Sequence, residues 1–126
     1  MGALSRAILL SVACTLGVAS ASADDVADFY KGKTITIVTS TGPGGGYDLA
    51  ARLIARYMPR RLPGVASVIV QNMPGASSVR AYQWLYTVAP KDGATLGFVQ
   101  PTVVLNRLTD ATAAYEPEKF TVIGRF

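Results

Sequence analysis

The residues best suited to chemistry in this chain form one short run, Gly42-Pro-Gly-Gly-Gly46, followed at once by Tyr47 and Asp48. Four glycines in five positions leave a turn almost bare of side chains, so backbone N–H groups can approach a ligand closely. The helical pattern that begins there aims its unpaired N–H groups and the positive end of its dipole at the same spot. That is the construction of an anion site. Asp48 falls in the first helical turn, where a carboxylate is favoured by roughly 0.3–1 kcal/mol. It either neutralises the dipole and no more, or accepts backbone N–H groups and fixes the loop. Repulsion between like charges argues against its touching an anionic ligand. Tyr47 has two readings of equal standing, one with its ring and hydroxyl toward the pocket, the other as an ordinary half-buried aromatic.

Nucleotide sites match the run only in part. A Walker A loop needs Gly-Lys-Ser/Thr after its glycines, and Gly46 is followed by Tyr47-Asp48. A dinucleotide fingerprint accepts Gly42 and Gly44, but its sixth place is Tyr47. A turn that only reverses the chain stays open. Histidine is absent and Cys14 is the one cysteine. Catalytic triads and the usual zinc sites are thereby excluded, and no metal or cofactor is expected.

Residues 1–23 read as a cleaved secretory signal, with Arg6 ahead of an apolar run and Ala21-Ser-Ala23 before Asp24. The run is short of the roughly 20 residues of a membrane span, and Ser11 stands where a lipobox upstream of Cys14 would carry leucine. Removal of the signal takes Cys14 and Arg6 with it, leaving 11 basic against 8 acidic residues and a net charge of +3. Arg52, Arg56 and Arg60, with Arg61 beside them, would line one helix face and read as a solvated surface. Nucleic-acid binding would need a denser basic stripe with interleaved aromatics, so none is expected.

The elements that must hold the glycine run follow an α/β pattern. A lead-in at 24–33 precedes a β-branched strand at 34–38 (TITIV). From Asp48, Leu49, Leu53, Ile54, Tyr57 and Met58 recur at helical spacing until Pro59 and Pro63 stop them. Residues 67–71 (SVIVQ) form a continuous apolar strand of the kind buried on both faces of a parallel sheet. Ser77 or Ser78 is placed to cap a helix carrying Val79, Tyr82, Leu85 and Tyr86. A third strand is expected at 95–99, a short helix at 102–108 and a fourth strand at 121–123. Turns at 41–47, 72–78 and 100–102 then leave the carboxyl ends of strands and gather on one sheet edge, where open α/β folds place ligands. The abrupt end after the last strand fits a fragment of a larger protein.

Four stretches, 33–38 (KTITIV), 44–48 (GGGYD) with Ala51-Arg52, 68–76 (VIVQNMPGA) and 89–97 (APKDGATLG), have the order and spacing of the Bug-type receptors. These are the periplasmic solute-binding components of tripartite tricarboxylate transporters, and the resemblance covers essentially all of 24–126. It implies a two-lobed, periplasmic-binding-protein-like fold of type II with a mostly parallel sheet. Residues 24–126 would be the N-terminal part of the first lobe, with the second lobe absent. It implies a non-enzymatic receptor in the periplasm that clamps a small organic carboxylate and passes it to large and small permease subunits in the membrane. The family's carboxylate-holding loop corresponds to Thr39, Thr41, Gly44, Gly45, Gly46, Tyr47 and Asp48. Its second loop corresponds to 74–78, with Gly75, Ala76, Ser77 and Ser78, and the segment after the third strand brings Gln100. Many members carry a small hydroxyl residue where this chain has Tyr47, and members are considerably longer.

Two other functions compete. An enzyme using Asp48 or Tyr47 as acid or base lacks a histidine or nucleophile to share protons with. A truncated, non-transporting interaction module of the cell envelope would use its open edge strand to pair with a partner.

Overall fold

A computed structural model describes residues 23–109 and 114–125; the expected signal sequence lies almost wholly outside them. Helix α1 (Ala23–Tyr30) leads into β1 (Thr34–Thr39), α2 (Gly46–Tyr57), β2 (Ser67–Asn72), α3 (Val79–Thr87), β3 (Thr95–Phe98) and α4 (Val103–Thr109). The three strands make one parallel sheet in the order β2-β1-β3. Fold class is thus α/β, as the sequence predicts, and consistent with part of a periplasmic-binding-protein-like lobe.

Strand β1 is central because its side chains can be covered on both faces. Ile35 and Ile37 point one way and pack with Ala51 of α2, while Val38 points the other way to Ala81, Leu85 and Ala89 around α3. All three β1 residues are 2% exposed or less, and burial of each contributes about 1.5–3 kcal/mol. The helices therefore sandwich the sheet, α2 on one face and α3 on the other. Strand β2 departs from expectation. Its apolar run is not buried on both faces, since it lies at the sheet's edge and Ile69 is 50% exposed.

Register sets where the strands end. Thr39 pairs with Asn72 on one side and with Phe98 on the other, so the turns after β1, β2 and β3 leave from one level. The Met73 N–H still donates to the Thr39 carbonyl at 2.8 Å, extending the ladder into the second turn.

Three expectations are corrected. The lead-in is a helix, with Asp25 in its first turn, and it is tied down by the Tyr30 hydroxyl, which donates to the Gly93 carbonyl at 3.2 Å. Residues 121–123 form no strand. They pair with none of the three strands, and Val122 and Ile123 are each 80% exposed; β-branched residues become a strand only where a neighbour packs them. The segment before them does dock, through Tyr115, which is 2% exposed and stacks on Tyr82 at 5.5 Å. Third, Ser78 occupies the position before α3 but makes no side-chain cap; its hydroxyl bonds to Ser40 instead.

Candidate functional site

The glycine run folds as a turn closed by the Gly45 N–H donating to the Gly42 carbonyl at 3.2 Å. Pro43 stands at its second place and Gly44 at its third with φ +83°, the pattern of a type II turn, which demands a residue tolerant of positive φ there. Gly45 is different. Its φ is −70°, and it is confined by space, because a Cβ there would lie 3.2 Å from the Gly42 oxygen and from Cβ and Oγ1 of Thr41. Helix α2 then starts at Gly46, and its first-turn N–H groups have no partner within the helix.

Asp48 is 2% exposed and pinned on all sides. Its Oδ2 accepts the Gly44 N–H at 2.8 Å and Arg52 Nε at 3.0 Å, while Oδ1 lies 3.0 Å from an Arg52 terminal nitrogen. Asn72, at the end of β2, donates its amide to Oδ1 at 2.8 Å and to the Thr41 carbonyl at 2.9 Å, and accepts from Arg52 at 3.2 Å. The hydrogen bonds from Arg52, Gly44 and Asn72 outweigh burial and hold the Asp48 carboxyl down at about 2. It is ionised and already neutralised by Arg52. Arg52 is thus no mere solvated residue, although Arg56 and Arg60 are exposed and lie near the Tyr57 ring.

A second cluster forms between the ends of β1 and β3. Ser78 Oγ donates to Ser40 Oγ at 2.8 Å, with Gln100 Oε1 at 3.4 Å, and the Gln100 N–H donates to Ser40 Oγ at 3.4 Å. Ser40 and Ser78 are buried, at 6% and 3% exposure. The Gln100 carbonyl accepts the Tyr82 hydroxyl at 3.4 Å. Burial, with the Tyr115 and Tyr47 phenols adding, pushes Tyr82 up to about 12. In a sheet ordered 2-1-3 the crevice between β1 and β3 is the switch point at which such folds take ligands.

Of the twelve residues named from sequence, Thr41, Gly44 and Asp48 meet in the first cluster, and Ser78 and Gln100 in the second. Thr39 is fully buried beneath them, its hydroxyl 3.4 Å from that of Thr41. The N–H groups of Gly44 and Gly45 are spent inside the turn, so they shape the loop and the open helix end belongs to Gly46 and Tyr47. The Tyr47 ring rests on Phe98 at 5.5 Å, and with Gly46 and Ala50 they line an open recess of about 260 Å³. A larger hollow, about 490 Å³, lies on the flank between α2 and β2, not between the β1 and β3 ends. Gly75, Ala76 and Ser77 are exposed, in a left-handed stretch in which Ala76, Ser77 and Ser78 have φ of 45°, 48° and 78°. Ser40, Arg52 and Asn72 are not among the site residues expected from sequence. Arg52 carries a signal, four residues after Asp48 on one helix face; Asn72 sits in the Asn-x-Pro-Gly motif; Ser40 has none. Among the described residues no three His, Cys, Asp or Glu gather to hold a metal ion, and no helix is long and apolar enough to cross a membrane.

No protein-family model and no solved structure matches the chain. Two curated proteins do. A UPF0065 protein in the gbd 5' region of Cupriavidus necator is 33% identical over 96 residues, covering 76% of this chain and 28% of that protein. A UPF0065 protein in the tcbD-tcbE intergenic region of Pseudomonas sp. (strain P51) is 27% identical over 114 residues, covering 90% of this chain and 33% of that one. The chain spans about a third or less of the length of these relatives. Both bear one family name, and the motifs shared with Bug-type receptors lie on a fold of the matching class; the chain belongs to UPF0065, the Bug family of tripartite tricarboxylate receptors.

Proposed function

We propose that this chain is part of a periplasmic solute-binding receptor that captures a small organic carboxylate and delivers it to a permease of one large and one small membrane subunit. The observation that carries this reading is the serine pair at the crevice. Ser40 Oγ accepts from Ser78 and from the Gln100 N–H. A hydroxyl has one proton to donate, so that of Ser40 is left for a third partner, and a carboxylate oxygen is a strong acceptor. The helix end at Gly46 and Tyr47 adds a favourable field for negative charge. Asp48 does not oppose it, because Arg52 and Asn72 already satisfy both of its oxygens.

Export by the N-terminal signal and residence in the periplasm belong to the same reading. Calorimetric titration of the complete receptor with a panel of mono-, di- and tricarboxylates tests it: saturable heat with at least one acid is expected, and no heat with any of them would sink it. An acid–base enzyme is disfavoured by the state of Asp48, which is ionised, buried and fully engaged, so it has no free lone pair directed at a substrate. The interaction-module alternative draws on the uncovered edge of β2 and on Leu49, Leu53 and Tyr57, which α2 exposes at successive turns. A defined protein partner together with silence toward every acid would favour it.

A further inference from the structure

The turn that shapes the candidate site is held from outside by a residue of another strand. We propose that Asn72 is the positioning residue of the glycine turn: without touching a ligand, its side-chain amide locks the turn to the end of β2 and fixes where the α2 N-terminus lies. The inference rests on the carboxylate reading above for what the turn is positioned to hold, and on geometry alone for the positioning.

Among the described residues, Asn72 joins three pieces of backbone at this point. Its own strand is the edge strand β2; its Nδ2 reaches the Thr41 carbonyl, at the exit of β1, and Asp48 Oδ1, in the first turn of α2. Its Oδ1 takes a proton from Arg52, one helical turn further on. One amide thereby supplies two donors and one acceptor to three residues, which no other side chain of this size does with neutral charge. Aspartate has the same shape but, when ionised, only acceptors. Alanine keeps the strand and offers neither. Asp48 in turn carries the constraint to Gly44 through the 2.8 Å bond from its N–H. Displacement of Asn72 would therefore be felt at Gly44, two bonds away in the network, and at Gly46 and Tyr47 beyond it. The charged groups facing the amide are Asp48 and Arg52, both on α2; Thr41 and Thr39, its contacts toward β1, are uncharged.

The experiment compares the full wild-type chain with Asn72→Asp and Asn72→Ala. Two quantities are read at pH 7 and near pH 4: amide exchange of Gly44, relative to its intrinsic rate, by NMR, and affinity for citrate, succinate and benzoate. In Asn72→Asp at pH 7, Gly44 exchange should rise and affinity fall by at least about tenfold, the equivalent of about 1.4 kcal/mol. Near pH 4 much of that loss should be recovered relative to wild type, because the introduced carboxyl takes up a proton beside Asp48 and becomes a donor again. Asn72→Ala should show the loss at both pH values. A role in stability alone would lower the melting temperature without this recovery. Wild-type protection of Gly44 in both variants, or equal loss in Asn72→Asp at both pH values, would overturn the proposal. If none of the three acids binds the wild-type chain, the carboxylate reading fails for them, while Gly44 exchange and its recovery in acid still uphold or overturn the role of Asn72.

Discussion

The two turns that flank the β1 end are held by opposite means. The first, from Gly42 to Asp48, contains glycine where positive φ is required, and its hydrogen bonds centre on an ionised carboxylate paired with Arg52. The second, from Gly75 to Ser78, puts three non-glycine residues in succession into the left-handed region. That conformation costs roughly 1–2 kcal/mol per residue. Neutral bonds offset it, from Ser78 to Ser40 and from the Asn106 amide to the Ser77 carbonyl at 3.1 Å. One turn is relaxed and depends on charge; the other is strained and depends on packing and neutral hydrogen bonds. The difference teaches where each will fail. Removal of charge should loosen the first and spare the second, whereas relief of strain should matter only in the second.

Acid is the strongest way to separate them. The Asp48 carboxyl is held below its ordinary value, near 3.9, at about 2. A group depressed in the folded state contributes stability that is fully present above about pH 4 and is lost as pH falls toward 2. Protection of the Gly44 amide should therefore collapse across that window. The Ser78 amide, bonded to the Gly75 carbonyl at 3.1 Å, should keep its protection over the same range. Local amides are the right readout because Glu116, lowered by Lys119 and Tyr86, also titrates in acid and would blur a global melt. In Asp48→Asn the step at Gly44 should disappear; a step of unchanged size would place its origin in another group.

Within the first turn, Gly45→Val should cost about 1–3 kcal/mol, the range of an overpacked site, because the new side chain meets the fixed Gly42 carbonyl. Gly44→Ala should cost about 1–2 kcal/mol from positive φ alone, as the space around it is open. Denaturant unfolding of the two variants measures both, and the order would invert if φ outweighed crowding. In the second turn, Ser78→Ala removes the 2.8 Å bond to Ser40 and should cost about 1–2 kcal/mol. No loss there would mean that the Ser40–Ser78 bond is not what offsets the strain.

The sheet and its main helices were legible because their signals are local. β-Branched alternation marked β1, and the spacing from Leu49 to Met58 marked α2. The first turn was legible too as a glycine-rich turn, and Pro43-Gly44, with positive φ at Gly44, gives it its type. What local signals could not carry was pairing between segments. Whether residues 121–123 become a strand depends on a neighbour they do not have among the described residues. Asn72 meets Asp48 across 24 positions and Ser78 meets Ser40 across 38, distances at which residue type says nothing until the sheet register brings them level. Ser78 shows the conflict directly: local rules assign its hydroxyl to the helix start, and a buried tertiary partner claims it.

The smallest effect is the most telling for the strained turn. Ala76 has φ 45° and is exposed, so its side chain contributes little packing that a substitution could remove. In Ala76→Gly the left-handed cost of roughly 1–2 kcal/mol is relieved, while the freer unfolded chain takes back about 0.4–1 kcal/mol. A net gain of about 0.5–1 kcal/mol is expected, visible as a higher denaturant midpoint with an unchanged slope. The same exchange in an unstrained turn would destabilise. A lower midpoint for Ala76→Gly would therefore mean that the second turn stores no strain at this residue, and the contrast with the first would reduce to charge against neutral hydrogen bonding.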